Sequence, residues 1–509
     1  MAESRVKNSF KNIVVNNIYQ FLNIILSFII RTIFIKTLGE NYLGLNGLFT
    51  NILSVLSLAE LGVGTAMVYS MYKPISENNE EKLSELIGYY KILYRRIAIA
   101  ILILGLIVLP LLPYIVNLDS DVGNIQLYYV LYLLNSVFSY LLLYKSSIIT
   151  ASQKEYLIKK YEIAFLIIKI ALQIVILIVL KNYLLYLIVQ IVTTILTNVL
   201  KSRKAEKLYS FIKQKKELPK KDKKEIWGNI KSLLYYQIGN VLLNNTDNIL
   251  ISTMLGTVLV GYYSNYSTII TSVSTFTALI FTSIQSSLGN FNVKSNSEEK
   301  YGIYKILTFL SFVIYSFCAI SMLILFQDFI TLWIGEKYLL DTSVLLVIVL
   351  NYYITGILYP NWCYRYTTDL FNKAKYIMII CAILNIVLSI ILGLAYGIFG
   401  ILIATGISRL CTTFWYEPYI MYKNIFEKKV RYYFLRQAKY ALIFVIVGVI
   451  IAAICNFISI ENLLVKIILK ELICIVIIVS IYWIIFRKTA EYKFLKEKIL
   501  YILKRKTLN

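Results

Sequence analysis

IAIAILILGLIVLPLLPYIV, residues 97–116, runs without a single charge. Arg95 and Arg96 stand just before it, and Asp119 and Asp121 follow soon after it. A helix that crosses a bilayer needs about 20 mostly apolar residues. Basic residues collect at the cytoplasmic ends of such helices. The stretch therefore predicts a membrane span and its direction, from inside to outside.

The same reading, carried outward, predicts fourteen spans: 12–38, 43–70, 97–116, 125–145, 161–180, 182–200, 232–254, 258–286, 304–326, 342–360, 374–395, 397–419, 437–458 and 463–486. The composition agrees. Of 509 residues 59% are hydrophobic, and the mean hydropathy is +0.70. Soluble proteins hold about 45–50% apolar residues, so the excess needs lipid as its solvent. Only 6 prolines and 21 glycines occur, which suits long helices. No stretch shows the alternation of a membrane barrel. The first span is too long for a signal peptide and lacks a small-residue cleavage site.

The net charge of +24 lies mainly between the apolar segments. In a soluble protein it would suggest nucleic acid; here the positive-inside rule accounts for it, and no nucleic-acid partner is expected. With both termini cytoplasmic, every second loop is basic. The largest, 201–231, contains Lys215-Lys216 and Lys220-Lys221-Asp222-Lys223-Lys224. It splits the chain after six spans. The predicted fold is an all-α integral membrane protein with two six-helix lobes in parallel repeat and a C-terminal helix pair. The expected boundaries are 1–200 for the first lobe, 201–231 for a basic cytoplasmic linker and 232–425 for the second lobe. The two extra helices fall in 426–486 and a basic cytoplasmic tail in 487–509. LGENYLG (38–44) and LGTVLVG (255–261) support the repeat, because both fall at the turn after the first helix of their lobe. Parallel halves of this kind commonly enclose a transporter's substrate site.

Several chemistries are excluded. There is no histidine, so His catalysis and His metal sites are absent. The six cysteines, Cys318, Cys363, Cys381, Cys411, Cys455 and Cys474, form no C-x-x-C pair and read as small apolar packing groups. No phosphate-binding G-x-x-x-x-G-K-[ST] loop occurs, which argues against ATP hydrolysis. No metal and no cofactor is expected.

A charge at mid-bilayer costs at least about 2.5–3.5 kcal/mol, so it faces a cavity or a partner. The candidates are Arg31, Glu60, Lys169, Asp247 and Arg409, with Lys466, Lys470 and Glu471 in the last span. Shifted by the repeat offset, Arg31 falls on Asn248, beside Asp247. Arg31 and Asp247 then either approach a shared cavity as ligand contacts or form a structural pair joining the lobes; Arg31 could also snorkel outward. Glu60, among Ala59, Gly62 and Gly64, reads as a structural hydrogen-bonding group or as an ion-coupling one. Lys169 reads as cavity-lining. Lys470 and Glu471 read as neutralising each other. The run Asn244-Asn245-Thr246-Asp247-Asn248 must line water, ligand or another helix. Tyr262-Tyr263-Ser264-Asn265-Tyr266-Ser267 follows it, with tyrosines that suit sugar stacking or interface anchoring.

Three stretches resemble polysaccharide flippases of Gram-positive bacteria: GLNGLFTNILSVLSLAELGVGTAMVYSMYKP (44–74), TDNILISTMLGTVLVGYYSNYSTII (246–270) and DLFNKAKYIMIICAILNIVLSIILGLAYGIFGILIATGISRL (369–410). These flippases belong to the multidrug/oligosaccharidyl-lipid/polysaccharide exporter superfamily. The resemblance implies two six-helix bundles around a cavity. It implies a polyprenyl-pyrophosphate-linked oligosaccharide as the load, moved between leaflets of the bacterial cytoplasmic membrane by alternating access. A polysaccharide polymerase and other assembly proteins are the implied neighbours. Arg31 matches the family's basic position in the first helix, and Asp247 its acidic position in the seventh. Arg31, Lys169 and Arg409 then become pyrophosphate contacts, with Asn244, Asn245 and Asn248 toward the sugars. Glu60 and Asp247 become ion-coupling or lobe-pairing residues.

The rival within the superfamily is a multidrug exporter, which would want an acidic cavity. A membrane glycosyltransferase or polymerase is a different class. Asp119-Ser120-Asp121 has the D-x-D pattern of sugar-donor metal sites, but its turn is too short to build one. A passive scramblase or channel is the third class.

Overall fold

The computed structural model describes residues 2–506 apart from 61, 119–121, 215, 369 and 375. The D-x-D triplet lies outside the described residues. Helices make up nearly all of the rest, and no strand occurs among the described residues. In order they are α1 (Ala2–Leu38), α2 (Glu40–Leu56), α3 (Val63–Ser76), α4 (Glu80–Val108), α5 (Leu112–Ile115), α6 (Ile125–Leu141), α7 (Leu143–Ala151), α8 (Tyr156–Val175), α9 (Tyr183–Leu208), α10 (Lys220–Leu255) and α11 (Thr257–Lys294). Then follow α12 (Ser297–Ile334), α13 (Thr342–Ile357), α14 (Tyr359–Thr367), α15 (Phe371–Ala374), α16 (Ile377–Cys411), α17 (Thr413–Met421), α18 (Arg431–Asn456), α19 (Leu463–Phe486) and α20 (Ala490–Lys506).

Short polar turns start the helices. Asn79, Asn124, Asn182, Asn296 and Asn462 each accept a hydrogen bond from a backbone N–H of the following first turn. Each such cap is worth about 1 kcal/mol. Gly39 (φ 84°) and Gly256 (φ 113°) hold the two turns of the repeat in a conformation that a side chain would resist.

Among the described residues, nine helices are long and apolar enough to cross a membrane, or ten if the bent pair Ile125–Leu141 and Leu143–Ala151 is one span. Each of the fourteen expected stretches is mostly helical among the described residues, but the count of fourteen is not established. The differences have physical causes. Ile377–Phe426 is one stretch of 50 residues that holds two expected spans, and Gly397 (φ 58°) breaks it. The second expected span is interrupted between α2 and α3. Large apolar side chains lie on the outside, such as Leu442, Val449 and Val479, and many polar ones lie inside. This inversion marks a multi-pass membrane protein.

Two compact units divide the chain: Met1–Ser264 and Asn265–Asn509. In the first, the basic loops meet at one end. Lys216 bonds Glu81 at 2.7 Å, Lys145 bonds Glu206 at 2.5 Å, Lys201 bonds Glu162 at 2.5 Å, and Lys82 pairs with Asp222. The short turns after α1, α5 and α10 meet at the opposite end.

In the second unit α12 is the central helix, with α13, α18 and α19 against it. The expectation for the last span is corrected here. Lys466 and Lys470 bond Asp328 of α12 at 2.8 and 2.6 Å, so they do not neutralise Glu471. Glu471 instead accepts from Ser321 of α12 at 3.3 Å. Deeper along the same seam Tyr482 donates to Ser316 at 2.7 Å, and Tyr440 stacks on Phe312 at 4.3 Å. Charge at one end and aromatic rings at the other thus fix the C-terminal helix pair onto α12.

Candidate functional site

The membrane-level polar groups of the first unit come from α1, the α2–α3 break, α8 and α10. Arg31 precedes the end of α1 by seven residues, which places it about 10 Å from that end at 1.5 Å per residue. It is half-buried and donates to the Ser264 hydroxyl. Tyr186 of α9 lies within electrostatic reach of its guanidinium. Ser264 is one residue of the tyrosine-rich run at 262–267, where the hydroxyl, not a ring, proves to be the near partner.

Around Arg31 the unit gathers tyrosines. Tyr183 donates to Tyr132 at 3.2 Å, and Tyr132 donates to the Asn46 carboxamide. Phe34 packs edge-on against Tyr183 and Tyr186, at 5.8 and 5.3 Å. Their spacing on α6 and α9 brings these tyrosines together only in the fold.

Glu60 ends a short 3-10 turn, Ser57–Glu60, that interrupts the second span. Gly62 follows in the left-handed region (φ 85°), and α3 restarts at Val63. The carboxylate is half-buried and lies 3.5 Å from the Tyr94 hydroxyl of α4. A Cβ at Gly64 would stand 3.1 Å from the Glu60 carboxylate and 3.2 Å from that hydroxyl. Gly64 therefore makes room for the carboxylate and its tyrosine. A broken helix at membrane depth is tolerated where protein or a water-filled cavity satisfies its backbone.

The polar run of α10 is split by the helix. Asn244 is exposed and donates to the Asn240 carbonyl at 2.7 Å. Asn245 and Thr246 donate to the carbonyls of Val241 and Leu242, each at 2.8 Å. These bonds to the preceding turn let polar side chains persist in an apolar helix. Asp247 and Asn248 are only 7% and 9% exposed. They lie on the packed side, while Asn244 faces outward.

Lys169 is half-buried on α8 and makes no ion pair among the described residues. Arg409 belongs to the other unit. It is 4% exposed near the end of α16, and it shares the electrostatic field of Glu417 with Arg365. Arg365 and Glu417 form a buried ion pair that bridges α14 and α17. Arg365 is thus not the loop cation that its place in the chain suggests.

Residues 9–287 match the family described as polysaccharide biosynthesis protein. No curated protein sequence matches the chain. Among solved structures, the lipid II flippase MurJ in an inward closed conformation superposes with a TM-score of 0.63 at 17% identity, covering 93% of this chain and 99% of that one. An inward-facing multidrug resistance MATE family transporter of the MOP superfamily gives 0.59 at 15% identity, covering 78% and 96%. The Vibrio cholerae MATE transporter VcmN, as a mutant, gives 0.55 at 14% identity, covering 84% and 100%. These likenesses establish the fold. With more than half of its length matched, the chain belongs to the polysaccharide biosynthesis protein family and has the fold of MOP-superfamily transporters.

Proposed function

We propose that this protein is a flippase of the bacterial cytoplasmic membrane. It moves undecaprenyl-pyrophosphate-linked oligosaccharide repeat units from the inner to the outer leaflet by alternating access, for surface polysaccharide assembly. Both termini are cytoplasmic in this reading, on the side of the lysine-rich loops. The observation that carries it is a guanidinium, Arg31, held inside the membrane part of a member of a polysaccharide biosynthesis family. A pyrophosphate–sugar head cannot enter about 30 Å of hydrocarbon unaided. Arginine offers charge-assisted, bidentate hydrogen bonds to phosphate. Lys169 adds a second cation on α8. Asn244 and Asn245 are the carboxamides toward the sugars, and Asn248, on the packed side of α10, joins them only if that side opens. Arg409 is a phosphate contact only if its buried cluster opens.

The test is a strain lacking this gene. Surface polymer should disappear while the intact lipid-linked unit accumulates in the inner leaflet. Normal polymer with lost resistance to cationic drugs would replace the reading with a multidrug exporter. Loss of polymer because the lipid-linked unit is never completed would favour a glycosyltransferase.

Glu60 is the proposed ion-coupling residue, and Asp247 the second acidic candidate, for coupling or for pairing the lobes. The carboxylate of Glu60 sits at a helix break, between the 3-10 turn Ser57–Glu60 and the start of α3. Glu60→Gln should give folded protein whose transport is several-fold slower and no longer responds to collapse of the ion gradient. A variant that slows with gradient collapse as the parent does would make Glu60 a structural partner of Tyr94 only.

A further inference from the structure

At the end of the second unit where α12 and α18 begin, three cations crowd one buried ring. Tyr301, near the start of α12, is 8% exposed. Lys428 lies over its ring, 5.0 Å from the centre, with Lys305 at 5.3 Å and Arg436 of α18 at 5.7 Å. Tyr301 and Lys305 are one helical turn apart and so share a face of α12. The ring itself is held firmly. Tyr422 and Phe426, of the helical turn after α17, pack against it at 5.7 and 5.5 Å. Arg436 donates through Nη2 to the Tyr301 hydroxyl at 3.0 Å.

The charges do not balance. Glu298 accepts from Lys428 at 2.7 Å, but its side chain is 76% exposed, and a pair so exposed contributes little. Lys305 and Arg436 make no ion pair among the described residues. The second terminal nitrogen of Arg436, Nη1, is buried and meets no acceptor among the described residues. A buried donor on a charged group is costly to leave unpaired, and like charges this close repel. The pull of one aromatic ring on each cation is too weak to offset both.

The surroundings indicate what answers the charge. Leu435, Lys439, Leu442 and Val449 are all exposed and share one face of α18 at helical spacing, so a lipid-facing wall leads up to the cluster. Lys439 stands over the Phe486 ring at 5.7 Å and Arg487 over Trp483 at 4.8 Å. Aromatic rings with basic residues at the end of such a wall mark the level of the lipid headgroups. Basic pockets between helices at that level bind acidic headgroups.

We propose that Lys305, Lys428 and Arg436, set around Tyr301, form a phosphate site for an anionic phospholipid of the bilayer. Arg436 offers Nη1 to a phosphate oxygen, and the two lysines offer their ammonium groups. A zwitterionic headgroup is disfavoured, because its own ammonium would meet three cations. The acyl chains run along Leu435 and Leu442. The site is distinct from the Arg31 region and stands on contacts within the second unit, whatever the protein moves. In the orientation proposed above, the lipid belongs to the inner leaflet.

The probe is dioleoylphosphatidylglycerol, with dioleoylphosphatidylcholine as the zwitterionic control. Delipidated full-length protein in detergent is titrated with each, and native mass spectrometry reads the lipid retained. The parent should hold phosphatidylglycerol about tenfold more tightly than phosphatidylcholine, the size of one hydrogen bond to a charged group. Lys305→Gln combined with Lys428→Gln should remove that preference. Lys488→Gln combined with Lys493→Gln, which takes the same charge from exposed positions of the tail, should keep it. If the first double variant folds poorly, Lys305→Gln alone, which breaks no ion pair, should still weaken the preference several-fold. Equal preference in parent and folded site variants would overturn the proposal and leave the cluster as an anchor of α18 on α12. Equal loss in the tail variant would also overturn it, since net charge alone would then account for binding. Inorganic phosphate without lipid should leave the melting temperature unchanged. If it stabilises the protein as much as phosphatidylglycerol does, the site takes free phosphate and the lipid assignment fails.

Discussion

Replacing Arg31 with alanine should reduce movement of the lipid-linked unit about ten- to hundredfold, with the protein still present in the membrane at its normal level. The range follows from a hydrogen bond to a charged group, worth about 1.5–3 kcal/mol, at about 1.4 kcal/mol per factor of ten. Arg31→Lys should retain an intermediate rate, since lysine keeps the charge but not the planar fork that grips phosphate in two places. Because Arg31 also donates to Ser264, a structural role has to be separated from a binding role. Ser264→Ala does so. It removes the acceptor and leaves the guanidinium, so transport should stay close to parental. If Ser264→Ala is as damaging as Arg31→Ala, the arginine acts by holding α11 in place. The measurement is the inner-to-outer ratio of the lipid-linked unit in complemented deletion strains.

The class of the fold was readable because lipid imposes one rule along the whole chain. Every apolar run long enough to span proved helical, and the basic loops did gather at one end of the first unit. Long-range pairing was not readable. Lys470 stands beside Glu471 in the chain, yet successive residues on a helix point in different directions. Its true partner, Asp328, falls past the expected end of the span at 326, whereas α12 runs on to Ile334. Glu60 was noticed as a charge among small residues, but the sequence signal, glycines at 62 and 64, did not say that the helix breaks there. Gly62 in the left-handed region is what separates α2 from α3. Asn244 and Asp247 were read together as one polar run. Three residues on a helix turn the side chain by about 300°, and burial depends on which neighbour lies in that direction. The tyrosines near Arg31 were lost in their own abundance. In each case the local chemistry was legible and the facing surface was not.

The largest expected loss of stability comes from a residue that no part of the transport reading needs. Glu417 is 1% exposed, and it lies with Arg365 (2%) and Arg409 (4%) among α14, α16 and α17. One carboxylate thus answers two buried guanidinium groups, with a direct ion pair to Arg365. Removing one partner of a buried pair costs about 3–5 kcal/mol, because the remaining charge cannot recover its hydration. Glu417→Ala should therefore lower the melting temperature sharply in detergent and reduce the amount of protein in the membrane. Two arginines, and not one, lose their carboxylate, so it should be worse than Arg365→Met, which leaves Glu417 the field of Arg409. The decisive comparison is the double variant Arg365→Met with Glu417→Leu. Replacing both members of a buried pair by apolar residues of similar size is often neutral. Here it still takes the carboxylate from Arg409, so recovery should be partial; adding Arg409→Met should complete it. If the triple variant is as unstable as Glu417→Ala, the cluster is not an electrostatic unit and packing around α17 accounts for the loss. If it is stable and still moves the load, all three charges serve the fold, and of the three proposed pyrophosphate contacts Arg31 and Lys169 remain.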